Sequence, residues 1–386
     1  MGEQWQVDED KRMYYVPLAI VGICAIIESK IKRKEIPFYI AFAVMSLFLI
    51  LRYGQGTDYF GYLGNYELWD YHSEIGFLTL ERVFHAIGCP FEVFAILIAV
   101  FHMTCTFRAI NLYSPYKCFS LMLLYPVIYL TYYFSALRQG IIIAFFLGFM
   151  LKWLEDGKWI RYIIACIILA TIHSVALMLL PIVVIKRIKN YVFYIGIAIA
   201  GVAGISVCIL PTKLFSFIRI GAVQYYFEHI EISYIGLAER IVMAILIILL
   251  YNRYKIKNIE NKQVEFLYKV YLYGVIVSIG FFPWGLLSSR LAVMMKATEI
   301  VLLPMLLAEC TQFIRRAVII GLSCYVLVMT TKNIMSYIKQ GKYEGYNVIS
   351  YPYITLWQKE YAREIRSKVW NKIVTEDWWN LSEEIN

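Results

Sequence analysis

Of 386 residues, 60% are hydrophobic and 17% charged, and the mean hydropathy is +0.61. A soluble globular chain carries roughly 25% charged residues and cannot hide this much apolar surface in one core, so the composition points to an integral membrane protein. The net charge of +9 does not indicate a nucleic-acid partner, because the basic residues cluster between apolar runs rather than along one groove.

Residues 1–12 are acidic and polar (Glu3, Asp8, Glu9, Asp10), the reverse of the basic start of a secretory signal. Continuous apolar runs then follow at 14–28, 36–51, 91–112, 117–134, 138–154, 160–172, 174–187, 191–210, 235–251, 265–282, 291–308 and 316–332. Only helices or closed barrels satisfy the backbone in lipid, and these runs do not alternate as barrel strands do. They predict an all-α, polytopic membrane fold of about twelve transmembrane helices. The sixth and seventh runs are short and meet at Ile172-His173-Ser174, as two tilted spans or one re-entrant pair. Segment 74–88 carries Glu74, Glu81, Arg82 and His85 and reads as an amphipathic helix lying on the surface.

In this reading residues 1–335 form a single transmembrane domain with outer loops 52–90 and 211–234, both rich in aromatics. Residues 336–386 form a polar outer tail, in which 356–374 is expected as a short surface helix. No internal repeat is visible, so the inverted symmetry common in transporters has no support. The eight cysteines form no C-x-x-C pair and lie mostly inside apolar runs, as small membrane-core residues rather than metal ligands.

Orientation follows from Lys and Arg. Alternate loops hold Lys30, Lys32, Arg33 and Lys34; Arg108 and Lys117; Lys152, Lys158 and Arg161; Lys186, Arg187 and Lys189; Arg253, Lys255, Lys257 and Lys262; and Arg315 and Arg316. The opposite loops hold only Arg52, Arg82, Arg138, Lys213, Arg219 and Arg290. The positive-inside rule places the first set in the cytoplasm and both termini outside, provided that 74–88 does not cross.

The outer arginines run against that bias. Arg52 ends the second run, Arg138 opens the fifth and Arg290 opens the eleventh. Helix N-termini and guanidinium groups both favour phosphate, so converging arginines at one depth suit a phosphate or pyrophosphate. Each arginine alone would equally anchor a helix end to lipid headgroups. Asp58, Glu74 and His173 are the candidate general bases. As bland alternatives, Asp58 would serve an Asx turn and His173 would cap the preceding helix. The outer tyrosines suit sugar stacking and an interfacial belt equally.

These residues carry a resemblance. Arg52 with Gly56-Thr57-Asp58-Tyr59, Glu74-Ile75-Gly76-Phe77, Arg138-Gln139-Gly140, Ile172-His173-Ser174-Val175-Ala176-Leu177 and Tyr351-Pro352-Tyr353 occur in the order expected of the EpsG family, which the sequence resembles. That family is a branch of the Wzy-like polysaccharide polymerases of O-antigen and exopolysaccharide biosynthesis. One departure is Ile172, where the family usually has an aromatic, and 354–386 does not map onto the family.

The resemblance implies a glycosyltransferase of GT-C-like architecture in the bacterial cytoplasmic membrane, working on its outer face. It implies donor and acceptor glycans carried on undecaprenyl pyrophosphate, with no metal, no other cofactor and no nucleic acid. Membrane lipid, a chain-length regulator and a flippase are the implied companions. Arg52, Arg138 and Arg290 would stabilise the departing pyrophosphate, one of Asp58, Glu74 and His173 would act as base, and Tyr59, Gln139, Tyr351 and Tyr353 would contact glycan. A flippase or exporter of lipid-linked oligosaccharide and a membrane acyltransferase that modifies polysaccharide are the alternatives.

Overall fold

The computed structural model describes residues 13–31, 35–56, 58–68, 74–209, 230–257, 261–335 and 353–361. These residues are overwhelmingly helical. No β-strand occurs among them, and the two β-bridges, Arg52 with Thr355 and Glu231 with Trp284, are isolated. In chain order the helices are α1 (Tyr15–Glu28), α2 (Glu35–Ile50), α3 (Tyr59–Leu68), α4 (Ile75–Ala86), α5 (Phe91–Tyr113) and α6 (Lys117–Leu124), which runs on as a π-helix over Tyr125–Tyr133. There follow α7 (Leu137–Glu155), α8 (Trp159–Ile172), α9 (Ser174–Ile185), α10 (Asn190–Ile209) and α11 (Tyr234–Ile256). The series closes with α12 (Lys262–Gly280), α13 (Gly285–Lys296), α14 (Glu299–Ala308) and α15 (Gln312–Met335).

A helix therefore covers each apolar run read from the sequence, and α4 forms where the amphipathic segment was expected. Five helices, α5, α7, α10, α11 and α15, are long and apolar enough to cross a membrane, and α13 with α14 makes a sixth if this pair, bent by 48°, is one span. Helix α1 has 14 residues, about 21 Å at 1.5 Å per residue, whereas a hydrocarbon core is about 30 Å thick. The described residues thus support five or six full-length spans where the apolar runs suggested about twelve. The difference is one of element length, not of element type. The expected surface helix at 356–374 is seen only at its start, a 3₁₀ turn over Leu356–Gln358 that runs on as helix over 359–361; residues 362–386 lie outside the described residues, as does most of the loop 211–234.

The chain packs as two compact units. Unit one takes its described residues from Met1–Phe107, Tyr116–Ala144 and Ala317–Asn386, and unit two from Arg108–Pro115 and Phe145–Arg316.

In unit one α1, α2 and α6 pack on one another. The buried carboxylate of Glu28, at the end of α1, accepts from the backbone N–H groups of Lys117 (3.0 Å) and Cys118 (3.1 Å). An anion at that position satisfies N-terminal donors that α6 cannot satisfy itself. Along the π-helix every fourth residue is a buried tyrosine with an anchored hydroxyl. Tyr125 donates to the Tyr14 carbonyl, Tyr129 to the Met45 carbonyl at 2.6 Å, and Tyr133 pairs with the Thr106 hydroxyl at 2.8 Å. Three anchors fix the stretch that leads into α7.

In unit two α12 is the central element, packed against α10, α11, α13 and α14. Its approach to α13 needs Gly274, where a Cβ would stand 2.7 Å from the Met295 Cβ. Between these helices lies a polar network. Lys296 Nζ pairs with both Glu239 carboxylate oxygens at 2.6 and 2.7 Å, and Arg240 donates to the hydroxyls of Ser278 (2.6 Å) and Ser288. Glu299, 9% exposed, begins the second half of the bent pair beside Lys296.

Candidate active site

The local architecture of unit one begins with Arg52. A helix leaves its last carbonyls without intrahelical donors. Here two helix ends meet, and the Arg52 guanidinium caps both: Nη1 donates to the Leu49 carbonyl of α2 at 3.0 Å, and Nη2 to the Tyr133 and Phe134 carbonyls at the end of the π-helix, each at 3.1 Å. The group lies 5.0 Å over the Phe134 ring and is 3% exposed. Arg52 therefore holds the backbone that precedes α7 and does not present its charge to solvent.

The loop after Arg52 docks on the same turn. Gly56 has φ +110°, and a Cβ there would come within 2.3 Å of the Phe134 carbonyl oxygen, so only glycine fits. A strap from the C-terminal side closes over this loop. Tyr53 N–H donates to the Ile354 carbonyl at 2.8 Å, Leu356 N–H to the Leu51 carbonyl at 2.9 Å and Gln55 Nε2 to the Ile354 carbonyl at 2.9 Å. Tyr353 stacks on Phe48 at 3.9 Å, and its hydroxyl donates to the Phe48 carbonyl at 2.8 Å. Lys359 reaches Glu92 at 2.6 Å.

On this platform stands Arg138, in the first turn of α7. Its guanidinium Nη1 pairs with the Glu74 carboxylate, its Nε faces the Tyr62 hydroxyl at 3.4 Å, and its charge lies over the Tyr62 and Phe77 rings at 5.7 and 6.0 Å. Glu74 occupies the N-cap position of α4, yet its side chain caps no backbone N–H and turns to Arg138 instead. Both side chains keep contact with solvent, at 25% and 29% exposure. Asp58 immediately precedes α3, and its carbonyl accepts from Tyr62 N–H at 2.9 Å. Burial raises the Tyr62 hydroxyl above its ordinary value; the Arg138 charge draws it back, and Asp58 pushes it up again. Cation, two carboxylates and a phenol thus share one half-open corner.

Glu81 belongs to the same face of α4, four residues beyond the buried Phe77 and seven beyond Glu74. It is 2% exposed, and neither carboxylate oxygen finds a hydrogen-bond partner among the described residues. Burial pushes its pKa up to about 7, with the Arg138 charge opposing. From the sequence it read only as one polar marker of an amphipathic helix. Its spacing from Glu74 and Phe77 was the available signal.

His102 was missed entirely, because it sits inside an apolar run. It is fully buried in α5, stacked on Tyr133 at 4.5 Å. A Cβ on Gly140 would meet its ring at 2.9 Å and the Tyr132 carbonyl at 2.8 Å. The run Arg138-Gln139-Gly140 can now be read physically: the arginine points to the open corner, the glutamine is 2% exposed, and the glycine admits the His102 ring.

The structure thus brings Asp58, Glu74 and Arg138 together, with Arg52, Tyr59, Gln139 and Tyr353 packed in the same unit. Tyr59 is 1% exposed, with its ring edge-on to Tyr53 and Phe91. Tyr351 lies outside the described residues. His173 and Arg290 belong to unit two. His173 ends α8 with extended backbone (φ −157°, ψ 122°) and donates its N–H to the Leu169 carbonyl at 2.9 Å, which is the capping geometry. Arg290 is exposed on α13.

The EpsG family model matches residues 35–354, most of the chain. The chain belongs to the EpsG family. EpsG proteins are Wzy-like polymerases, and the match opens at the first residue of α2 and closes in the strap over Arg52. The clamp, the Arg138 corner, His173 and Arg290 all fall within it, and the tail beyond 354 does not. No curated protein and no solved structure matches the chain.

Proposed function

We propose that this EpsG-family protein is a polysaccharide polymerase that extends a glycan from lipid-pyrophosphate-linked repeat units, on the outer face of the cytoplasmic membrane. The observation that carries this reading is the half-open Arg138–Glu74 pair, bordered by Asp58 and Tyr62, on two of the family's sequence elements. Undecaprenyl pyrophosphate is the carrier expected for such a family.

In the reaction an acceptor hydroxyl attacks the anomeric carbon of the donor glycan. The bond from that carbon to the pyrophosphate oxygen breaks, and its electron pair leaves on the carrier pyrophosphate. Arg138 stabilises the charge that develops there, as a positioned guanidinium in a partly desolvated corner can. In the resting site Glu74 holds Arg138. A bound pyrophosphate competes for the guanidinium and releases the Glu74 carboxylate, which then takes the acceptor proton. Asp58 orients the acceptor, and Arg52 acts at one remove, by fixing the backbone that presents Arg138.

One observation favours a second reading, export of the lipid-linked oligosaccharide: unit two carries charge inside its helices, in the Glu239–Lys296 pair and at Arg240. A single experiment separates the two. Purified protein is given defined lipid-linked repeat units without nucleotide sugar. A ladder of longer lipid-linked glycans, lost in Arg138→Ala, supports polymerisation; translocation across vesicles without chain growth overturns it.

A further inference from the structure

The two ends of unit two differ. One end carries the joins α8–α9 and α12–α13 with His173 and Arg290; the other carries the joins α9–α10 and α11–α12, where the basic residues gather. The positive-inside distribution assigns this second end to the cytoplasm. It contains a cavity of about 520 Å³ whose lining includes Arg187, Lys189, Lys255, Lys269, Tyr194 and Tyr251.

Among the described residues the charges that line this cavity do not balance. Its one carboxylate, Glu265, pairs with Lys269 at 2.8 Å across one helical turn. Lys269 is 7% exposed and also faces the Lys186 carbonyl at 3.4 Å, so it forms a fixed inner wall. Arg187, Lys189 and Lys255 have no carboxylate within ion-pair distance among the described residues, although they converge on one space. An aromatic wall completes it. Tyr251 stacks on Tyr268 at 3.7 Å with planes 8° apart, Tyr194 and Tyr268 share a hydroxyl contact at 2.9 Å, and Asn190 donates to the Tyr251 hydroxyl at 3.3 Å.

Basic residues at a cytoplasmic helix end need no ligand to explain them, since membrane insertion alone retains them. Scattered cations would satisfy that demand. Three cations without carboxylate partners among the described residues, around one concave, aromatic-walled space, go further, and the volume falls in the range of small-molecule sites, above what a lone phosphate fills. Lys269 lies seven residues into α12, about 10 Å along the helix, so the cavity runs from the loops into headgroup depth. Basic pockets between membrane helices at this level hold phosphorylated headgroups. We infer that this cavity binds a net-anionic phosphate group, that of an acidic phospholipid headgroup, at a site separate from the Arg138 corner and independent of the proposed polymerase reaction.

The test uses the full-length protein in detergent, titrated with phosphatidylglycerol or with zwitterionic phosphatidylcholine and followed by native mass spectrometry. Two double variants that remove equal charge are compared: Arg187→Gln with Lys255→Gln in the cavity, and Arg253→Gln with Arg316→Gln, both exposed at the same end and outside the lining. Phosphatidylglycerol is expected to bind in preference, and the cavity variant to weaken it about 10- to 30-fold, at roughly 1 kcal/mol per cation. The control variant is expected to leave it unchanged, and equal melting temperatures in all three proteins exclude unfolding as the cause. Inorganic phosphate is added as a separate probe. If it binds alone with the same variant dependence and displaces the lipid, the anion site stands and its source is soluble. Equal retention of the two lipids, or equal weakening in both double variants, together with no phosphate binding, overturns the proposal.

Discussion

Unit one and unit two each place charged side chains among apolar helices, but they complete them differently. In unit one the Arg138–Glu74 pair is about a quarter exposed and rests on aromatic rings. In unit two the Lys296–Glu239 pair is closer to fully enclosed, at 19% and 10% exposure, with two serine hydroxyls on the neighbouring Arg240. A half-open ion pair contributes little to stability, because water screens it, yet its partners can be exchanged for a ligand's. An enclosed pair is hard to break, since removing one member strands the other in a low-dielectric interior. Openness decides which cluster suits chemistry and which suits architecture.

The largest expected effect tests the architectural side. Lys296→Ala should remove the ammonium that pairs with both Glu239 carboxylate oxygens and cost about 3 kcal/mol, seen as a lowered melting temperature in detergent and poor recovery of folded protein. Replacing both partners, with Lys296→Met and Glu239→Leu, should restore most of that loss. If the double variant is as unstable as the single one, the network does more than balance its own charges. The next effect tests the other side. Arg138→Ala should reduce chain growth by about 10²–10³-fold, the scale for removing one transition-state donor, while the melting temperature changes little. A large stability loss with modest activity loss would reverse the contrast.

The helices and part of the open corner were legible in the sequence; the division into two units was not. Continuous apolar runs located the helices, and the outer arginines against the positive-inside bias brought forward Arg138 together with Arg52 and Arg290. Glu74 followed from its place at the head of an amphipathic segment. Side-chain destinations were not legible. Nothing in Arg52 or its neighbours tells that its guanidinium turns inward to the carbonyls of Tyr133 and Phe134, more than eighty residues away. Lys296 finds its partner Glu239 57 residues away and on another helix. The π-helix that supports Arg52 has the same apolar composition as an α-helix, so no periodicity marks it. Gly140 reads as a motif letter until His102 is seen against it. Gly140→Ala should accordingly cost about 1–3 kcal/mol by overpacking, measured as thermal stability. Unchanged stability would mean that the His102 ring can give way.

Glu81 offers the finest test, because it combines burial like that of unit two with a place beside the open corner of unit one. Its folded pKa of about 7 lies above the ordinary 4.5, with burial as the main cause. Between those values the folded protein holds a proton that the unfolded chain has released. Stability should therefore fall as pH rises from about 4.5 to about 7, by at most about 2 kcal/mol after screening. Glu81→Gln keeps the shape and removes the titration, so it should flatten that slope and raise the melting temperature at pH 8 relative to wild type. If Glu81 also carries a proton for the reaction, the same variant should lose the pH dependence of kcat near neutrality while KM for the lipid-linked acceptor holds. A flattened stability slope with an unchanged pH–rate profile would place Glu81 with the enclosed charges, as a buried acid that supports the Arg138 corner without taking part in its chemistry.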